Sequence, residues 1–163
     1  MFALVGVGLS CLFIPRMGDL YGRKPMYIFA LVLQIPVYTL ACVLNKVLPI
    51  YVVAFALGPC VTGRMACGFL LLLEMMPKRN QTWVGAACMI AEGSCAIIWT
   101  GYFYFISRNA FYFIYFTIGL NLLAVFGCLY VTESPRYLFG MENFEECRKV
   151  MMTIARRNKV LDY

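Results

Sequence analysis

Five apolar runs constrain this chain more than any other feature of its sequence, because each is about as long as a membrane span. Crossing roughly 30 Å of hydrocarbon takes about 20 helical residues at 1.5 Å each. The runs are Met1–Met17, Pro25–Leu44, Leu48–Met75, Trp83–Ile106 and Ala110–Val131. Polar segments separate them. The sequence therefore predicts an all-α, polytopic membrane domain of five transmembrane helices over residues 1–131.

The composition of the chain argues against a water-soluble fold. Of its 163 residues, 63% are hydrophobic and 13% are charged, against roughly 25% charged in an ordinary soluble domain. A small soluble domain of this composition would leave wide apolar patches exposed to water. The formal net charge of +6 does not follow one polar face, so the sequence does not predict nucleic-acid binding.

Lysine and arginine are distributed unequally between the two ends of the predicted spans. One end, which we call the basic side, holds Arg16, Arg23, Lys24, Lys78, Arg79 and Arg136. The opposite end holds only Lys46 and Arg108. Because short cytoplasmic loops retain positive charge, we expect the basic side to face the cytoplasm or its equivalent, with the C-terminal tail on that side.

Residues 132–163 differ in character from the spans and form a predicted amphipathic helical tail. Apolar residues recur at helical spacing within Met141–Asn158, namely Phe144, Cys147, Val150, Met151 and Ile154. Asn143 followed by Glu146 resembles a capping box at the start of this helix. Basic residues suit the negative end of its dipole, namely Arg156, Arg157 and Lys159. We expect the helix to lie along the membrane face or against the loops.

Residues capable of catalysis or metal binding are scarce in the sequence. The chain has no histidine, and no serine or cysteine nucleophile has an obvious partner. Nearly all of the eight cysteines lie in apolar stretches without a metal-ligand pattern. The sequence therefore predicts no enzyme activity, no cofactor and no metal site.

Three motifs lie at the basic-side ends of the spans. Asp19–Pro25 reads D-L-Y-G-R-K-P and resembles part of the G-x-L-A-D-R-x-G-R-K signature of major-facilitator transporters. Glu133–Leu138 reads E-S-P-R-Y-L and resembles the E-S-P-R-x-L element that closes the sixth span of sugar porters and organic-ion transporters. Glu74–Arg79 resembles the E-x-x-P element with trailing basic residues. Counting back from the second motif, the five runs resemble spans two to six of the family's N-terminal half.

The resemblance implies a charge network that holds a gate closed on the basic side in the outward-open state. Its members would be Asp19, Arg23, Glu74, Glu133 and Arg136. From the residues alone, Gly18 and Gly22 allow a close helix approach and a tight turn, and Asp19 can make a charge-assisted contact with Arg23. The alternative interpretation is a solvated rim of scattered charges, which would contribute little to stability.

The chain also departs from the family pattern at positions that matter for a gate and for a solute site. Pro15 replaces a glycine of the loop signature and Leu20 replaces its basic residue. Ala54 stands where the family has the arginine of an R-F-x-x-G element, and Gln81 stands where sugar porters carry arginine. Met89 stands where many members place a glutamine near the substrate. The resemblance therefore implies a weakened gate and a more apolar site.

Two charged residues, Arg64 and Glu92, lie inside predicted spans. An ionisable residue at membrane depth is a candidate functional residue because its desolvation is costly. The two side chains could pair between adjacent helices. Alternatively, Arg64 could extend its guanidinium towards the membrane surface, and Glu92 could be protonated or meet a partner protein.

These features lead to two functional hypotheses. Major-facilitator transporters rock two six-span halves around a central site, and five spans lack the helices to do so. We expect a degenerate half-transporter serving as an accessory or structural subunit, with other membrane subunits and lipid as partners and no small-molecule substrate of its own. A mitochondrial respiratory complex of the inner membrane is the predicted host. The alternative is a fragment of an active sugar or organic-ion carrier in the plasma membrane or another membrane.

Overall fold

The computed structural model describes residues 1–43, 47–106 and 109–157, and every regular element within those ranges is helical. The elements in chain order are α1 Phe2–Tyr21, α2 Arg23–Val43, α3 Val47–Thr62, a π-helical turn Gly63–Gly68, α4 Phe69–Met75, α5 Lys78–Phe105, α6 Ala110–Tyr130, α7 Pro135–Gly140 and α8 Phe144–Arg157. The turn joins α3 to α4 as one span, so five described helical segments are long and apolar enough to cross a membrane. The predicted all-α, five-span fold is confirmed.

Three of the spans, α1, α2 and α5, extend further towards the basic side than the hydropathy pattern predicts, and α2 begins at Arg23 instead of Pro25. α1 ends at Tyr21 instead of Met17, and α5 begins at Lys78 instead of Trp83. A membrane helix can continue into the interfacial region, where polar and basic residues are solvated. Pro15 removes only one backbone donor and α1 continues through it. The apolar run therefore marks the hydrocarbon-crossing part of each helix and not its ends.

Other predicted boundaries agree more closely with the structure or fall on residues that it does not describe. α6 ends one residue before the predicted Val131, and the fourth span ends at Phe105, one residue before Ile106. Leu44, Lys46, Arg108, Asn158 and Lys159 lie outside the described residues. The charge distribution on the side opposite the basic side therefore stays a prediction.

α1 and α3 pack closely because glycines bring their backbones into contact. A Cβ atom added to Gly6 would lie 2.5 Å from the carbonyl oxygen of Phe55, and one added to Gly58 would overlap the backbone of Gly6. Ser10, one turn after Gly6, is buried in α1. Small residues spaced four apart allow this approach in membranes, where dispersion contacts and not hydrophobic burial hold helices together.

α2 lies at the centre of the described bundle and contacts α3, the π turn and α6. Val37 of α2 forms a small core with Val53 and Cys60 of α3. Asn121 of α6 donates a hydrogen bond from Nδ2 to the carbonyl oxygen of Leu31, at 3.3 Å. Polar side chains that bond across helices are worth about 0.6 kcal/mol each on average in a membrane protein, so this bond orients α6 more than it stabilises it.

α5 packs far less than the other spans. None of its residues is buried, although it is 28 residues long. It meets α4 near the basic side. It meets α6 where Trp99, Tyr102 and Phe103 surround the ring of Phe113, and the shortest centroid distance, 4.2 Å, is that of Trp99. One long apolar helix therefore presents most of its surface to whatever surrounds the bundle.

The tail forms two helices, of which α8 lies within the predicted range Met141–Asn158 and α7 was not predicted. Ser134 caps α7, and Asn143 Oδ1 accepts a hydrogen bond from the backbone N–H of Glu146 at 3.4 Å. That bond is half of the predicted capping box. α8 begins at Phe144 because Glu142 adopts a left-handed conformation with φ 58° that separates the two helices.

Gly58→Ala is expected to destabilise the bundle, because its methyl group has no space against α1. Overpacking of this kind costs about 1–3 kcal/mol, and each kcal/mol lowers the Tm by about 2–4 °C in a protein of this size. Thermal unfolding in detergent measures the change. Gly119→Ala is the matched control, since a Cβ at Gly119 meets no atom within 4 Å. An equal Tm for the two variants would contradict the glycine contact.

Candidate functional site

The Asp19–Pro25 motif occupies a single tight junction between two helices. α1 ends at Tyr21 and α2 begins at Arg23, so Gly22 alone connects them with φ 105°. L side chains rarely adopt this conformation. A Cβ at Gly18 would also lie 2.8 Å from the sulfur of Cys67 in the π turn. The close approach at Gly18 and the tight turn at Gly22 are therefore as predicted.

Arg23 lies between two carboxylates at this junction. Its Nη2 is 3.0 Å from Asp19 Oδ1, and its Nε is 2.9 Å from Glu74 Oε2. The Nε–H points at no acceptor among the described residues, so charge attraction and not a directed hydrogen bond maintains the second contact. The Glu74 side chain is 4% exposed and that of Asp19 is 64% exposed. The inner pair therefore carries most of the interaction.

Ser134 connects Glu74 to the segment that follows the last span. Its hydroxyl donates a hydrogen bond to Glu74 Oε2 and accepts one from the backbone N–H of Tyr137 at 3.2 Å. The residue is fully buried. A serine directly before Pro135 is a typical helix N-cap, and here the same side chain also orients a carboxylate. Arg23, Glu74 and Ser134 thus join three separate segments.

Glu133 holds the start of α2 through backbone donors and not through an ion pair. Its Oε1 accepts hydrogen bonds from the backbone N–H of Lys24 at 3.1 Å and of Ser134 at 3.0 Å. The first backbone N–H groups of a helix lack intrahelical partners and carry partial positive charge, which favours a carboxylate. A Cβ at Gly22 would lie 2.9 Å from Glu133 Oε2. The glycine turn therefore also makes room for this carboxylate.

Of the five predicted gate residues, four lie in this arrangement and Arg136 lies at its edge. Arg136 is exposed and makes no ion pair within the described residues. Tyr137, which sequence reasoning did not single out, contacts the site instead. Its hydroxyl donates to the carbonyl oxygen of Leu20 at 3.0 Å, and its ring lies 5.9 Å from Arg23 Cζ. Ser134 was missed too, although the S-P pair is a recognisable capping signal.

Gln81 shows what has replaced the arginine that sugar porters carry there. Its Nε2 donates hydrogen bonds to the carbonyl oxygens of Leu73 at 3.0 Å and Met76 at 3.3 Å. These carbonyls lie at the C-terminal end of α4 and at its C-cap, and that of Leu73 also accepts a hydrogen bond from the backbone N–H of Met76 at 3.2 Å. The side chain therefore braces the junction between α4 and α5 and adds no charge to the network.

The structure separates the two charged residues predicted inside the spans. Arg64 lies in the π turn and lines a cavity of about 400 Å³ between α2, α5 and α6. Glu92 is exposed on α5 and does not line this cavity. The ion pairs found among the described residues do not include one between Arg64 and Glu92.

Removing the charge of Glu74 is expected to cost far more stability than removing that of Asp19. Glu74→Gln leaves the largely buried Arg23 with one exposed partner, and breaking a buried pair costs about 3–5 kcal/mol. Asp19→Asn removes an exposed contact worth about 0–1 kcal/mol. Thermal unfolding in detergent at low and moderate salt compares the two variants. A larger loss for Asp19→Asn would contradict the assignment of the inner pair.

Ser134→Ala is expected to lose both the cap of α7 and the donor to Glu74. Losing a cap costs about 1 kcal/mol, and leaving a buried acceptor unpaired adds about 1–3 kcal/mol. Ser94→Ala is the control, because the Ser94 hydroxyl is exposed and bonds only within α5. The double variant Ser134→Ala with Glu74→Gln should lose less than the sum of the two changes. Strict additivity would show that the two side chains act independently.

Comparison with known proteins identifies sequences that are similar to this chain. The family model for "Sugar (and other) transporter" matches residues 1–162. An organic cation transporter protein of Drosophila melanogaster is 28% identical over 160 residues, covering 96% of this chain and 28% of that protein. Solute carrier family 22 member 15 of Xenopus tropicalis is 26% identical over 159 residues, covering 94% of this chain and 29% of that protein.

The chain therefore spans less than a third of the length of these relatives. Its match to the family model extends over nearly every residue, and the motifs that carry the charge network lie within that match. This chain belongs to the sugar and other transporter family of the major facilitator superfamily.

Proposed function

We propose that this chain supplies the basic-side gate of a major-facilitator carrier for small organic ions, and that further membrane helices complete the solute path. The contact of Arg23 with Glu74 and of Glu74 with Ser134 carries this proposal. It links the α1–α2 junction, the end of α4 and the start of α7 at one end of the bundle. Such a contact closes one side of a carrier as long as it persists.

The chemistry of the contact suits a gate that must also open. Arg23 and Glu74 form an ion pair whose partners can each be solvated when the segments separate, so the closed state is stabilised without being locked. Asp19 lies on the exposed side of Arg23 and is placed to hold the guanidinium during opening. A ligand that binds the two states differently shifts such an equilibrium by its differential affinity.

Further helices are needed because the described spans do not enclose a solute path. Carriers of this superfamily rock two halves around a site near the bilayer midplane. In this chain α5 buries none of its residues. The proposed substrate class, an organic ion, rests on the name of the Drosophila relative, an organic cation transporter protein.

The accessory role expected from the sequence is the second hypothesis. Met89, Ala54 and Gln81 depart from the family pattern, and Gln81 bonds to backbone carbonyls instead of adding a charge. The loss of these polar and charged side chains favours the hypothesis that the chain is retained as a packing subunit of a larger assembly. Neither the family model nor the two relatives lends support to a respiratory complex or to the mitochondrial inner membrane as its location.

Uptake by proteoliposomes tests the proposal. We expect saturable uptake of labelled tetraethylammonium by the assembly purified through a tag on this chain, and none by the 163-residue chain alone. Glu74→Gln in the assembly should lower the maximal uptake rate by about tenfold, which corresponds to about 1.4 kcal/mol in the activation free energy of the transport step. Ser94→Ala should leave the rate unchanged.

Two outcomes would contradict the proposal. Saturable uptake by the isolated chain would show that no further helices are needed. An assembly that is stable on a blue-native gel but transports neither tetraethylammonium, an organic anion nor glucose would favour the accessory role.

A further inference from the structure

Glu92 is the acidic residue that the described spans carry at membrane depth. It lies at the middle of α5, so about 20 Å of helix separates it from Lys78 at one end and from Phe105 at the other. The edge of the hydrocarbon is roughly 15 Å from the centre of a bilayer. Long lysine and arginine side chains can extend to the membrane surface from within a span. A glutamate side chain is too short to place its carboxylate in water in this way.

No described residue neutralises this carboxylate. The ion pairs found within residues 1–43, 47–106 and 109–157 all involve Arg23, at the basic side. Arg64 faces the cavity between α2, α5 and α6, and Glu92 does not line that cavity. An ionisable side chain at membrane depth is stabilised by a counter-charge, by a change of protonation or by water. Glu92 therefore takes its partner from outside the described residues.

The face of α5 around Glu92 is apolar and open. Met89, one turn earlier on the same side of the helix, is 52% exposed. A Cβ added to Gly93 would meet no atom within 4 Å. Trp99 and Phe103 continue this face towards the end opposite the basic side, and their ring centroids lie 5.9 Å apart. The carboxylate is therefore a single negative charge on an apolar and aromatic surface.

This surface does not suit an inorganic cation. A hard cation such as Ca²⁺ takes about six to eight oxygen ligands. In the part of the chain that the structure describes, no group of three or more His, Cys, Asp or Glu side chains is able to hold a metal ion. Ser94 lies on the other side of the helix, where its hydroxyl donates to the carbonyl oxygen of Ala91 at 2.7 Å. An ammonium ion with alkyl substituents needs no oxygen ligand shell, because its alkyl groups contact the apolar surface.

The other acidic residues of the described ranges are distant from membrane depth. They lie at the basic side or in the tail, namely Asp19, Glu74, Glu133, Glu142, Glu145 and Glu146. The first two contact Arg23, and the third accepts a hydrogen bond from the backbone of Lys24. A cationic solute that crosses between the two membrane faces therefore meets one carboxylate on the described spans.

We infer that Glu92 binds the cationic group of the transported solute and thereby selects organic cations over organic anions and neutral solutes. The solute is a small ammonium ion whose charge meets the carboxylate and whose alkyl groups contact Met89. A larger solute extends along α5 to the ring of Trp99, where a cation or its alkyl groups gain from the aromatic face. This inference rests on the proposed function, and it adds the residue and the physical reason for the sign of the solute's charge.

A solute fits these observations better than a permanent ion pair with another helix does. A permanent pair away from water is stabilising only when further hydrogen bonds satisfy both ions, because desolvation otherwise exceeds the Coulombic gain. The surface around Glu92 offers no such donors, since Met89 and Gly93 flank it and Ser94 bonds within the helix. An alkylammonium ion donates few or no hydrogen bonds and is weakly hydrated. It is therefore bound by charge and apolar contact, and it is released again.

Protection of Glu92 from a carbodiimide tests the inference. The apolar reagent N,N′-dicyclohexylcarbodiimide adds to carboxyl groups within membranes, and mass spectrometry of the peptides locates the adduct. The sample is the assembly purified through a tag on this chain, in nanodiscs, with tetraethylammonium, benzoate or glucose added. Tetraethylammonium should slow the labelling of Glu92 about tenfold once its concentration is about ten times its Kd. Benzoate and glucose should not slow it, and Glu92→Gln should lose the adduct.

Uptake kinetics of matched variants give an independent measurement. Glu92→Gln should raise the KM for tetraethylammonium about tenfold, and Glu92→Asp, which keeps the charge, should restore the KM to within about threefold. Choline should compete better than its neutral isostere 3,3-dimethyl-1-butanol in the unmodified assembly and equally well in Glu92→Gln. Glu145→Gln is the matched control, because it removes an exposed charge from α8 and should leave the KM unchanged.

An unchanged KM in Glu92→Gln with intact tetraethylammonium uptake would overturn the inference and leave the proposed function in place. Labelling that tetraethylammonium does not slow would also overturn it, because the carboxyl group would then be held by a proton or by a fixed cation of another helix. Equal protection by benzoate would show that charge is not recognised and would contradict it too. Protection by tetraethylammonium without any uptake would support the Glu92 site and contradict the carrier.

Discussion

The position of Arg23 between Asp19 and Glu74 is the interaction on which the basic side of this protein depends. Arg23 is the first residue of α2, so it can reach the end of α1 behind it and the end of α4 beside it. Ser134 extends the contact to α7, and Glu133 caps the backbone of α2. Segments that are far apart in sequence thus meet around the guanidinium of Arg23. Because its partner Glu74 is largely buried, this contact differs from an ordinary surface ion pair.

The same interaction explains why glycine occupies two positions in the first motif. Gly22 lets the chain reverse direction within one residue, and it leaves room for the carboxylate of Glu133. Gly18 lets α1 approach Cys67 of the π turn. A longer junction would move Arg23 away from α1 and would add loop entropy to the closing of the contact. The backbone geometry at Gly18 and Gly22 therefore sets the distances between the charged side chains. The motif by itself shows only which charges are present.

Much of this arrangement could be predicted from the sequence, for reasons that differ between residues. The apolar runs gave the number of spans because a membrane imposes a minimum helix length, and family motifs identified Asp19, Arg23, Glu74 and Glu133 as neighbours in space. Helix ends were predicted less well, since Lys78 and Asp19 are polar yet lie within continuous helices. Arg64 and Glu92 could not be placed, because hydropathy reports depth in the membrane but not the direction in which a side chain points.

The roles of two polar side chains, Ser134 and Gln81, were not predicted from the sequence. Ser134 is an ordinary residue in composition, and its importance comes from a carboxylate that is distant in the chain. Gln81 looked like a lost charge, whereas it bonds to the carbonyls of Leu73 and Met76. Both effects depend on which groups the fold brings close to each side chain, and that is known only after the helices have been placed.

The π turn Gly63–Gly68 makes the orientation of the two ends of the third span depend on the exact number of residues between them. A π turn holds one more residue than the α-helical path it replaces, and one residue corresponds to a rotation of about 100°. Gly58 faces α1 on one side of this turn, and Glu74 faces Arg23 on the other. Deleting one residue between them would rotate one face away from its partner. A substitution in this segment keeps both faces in register, whereas an insertion or a deletion of one residue does not.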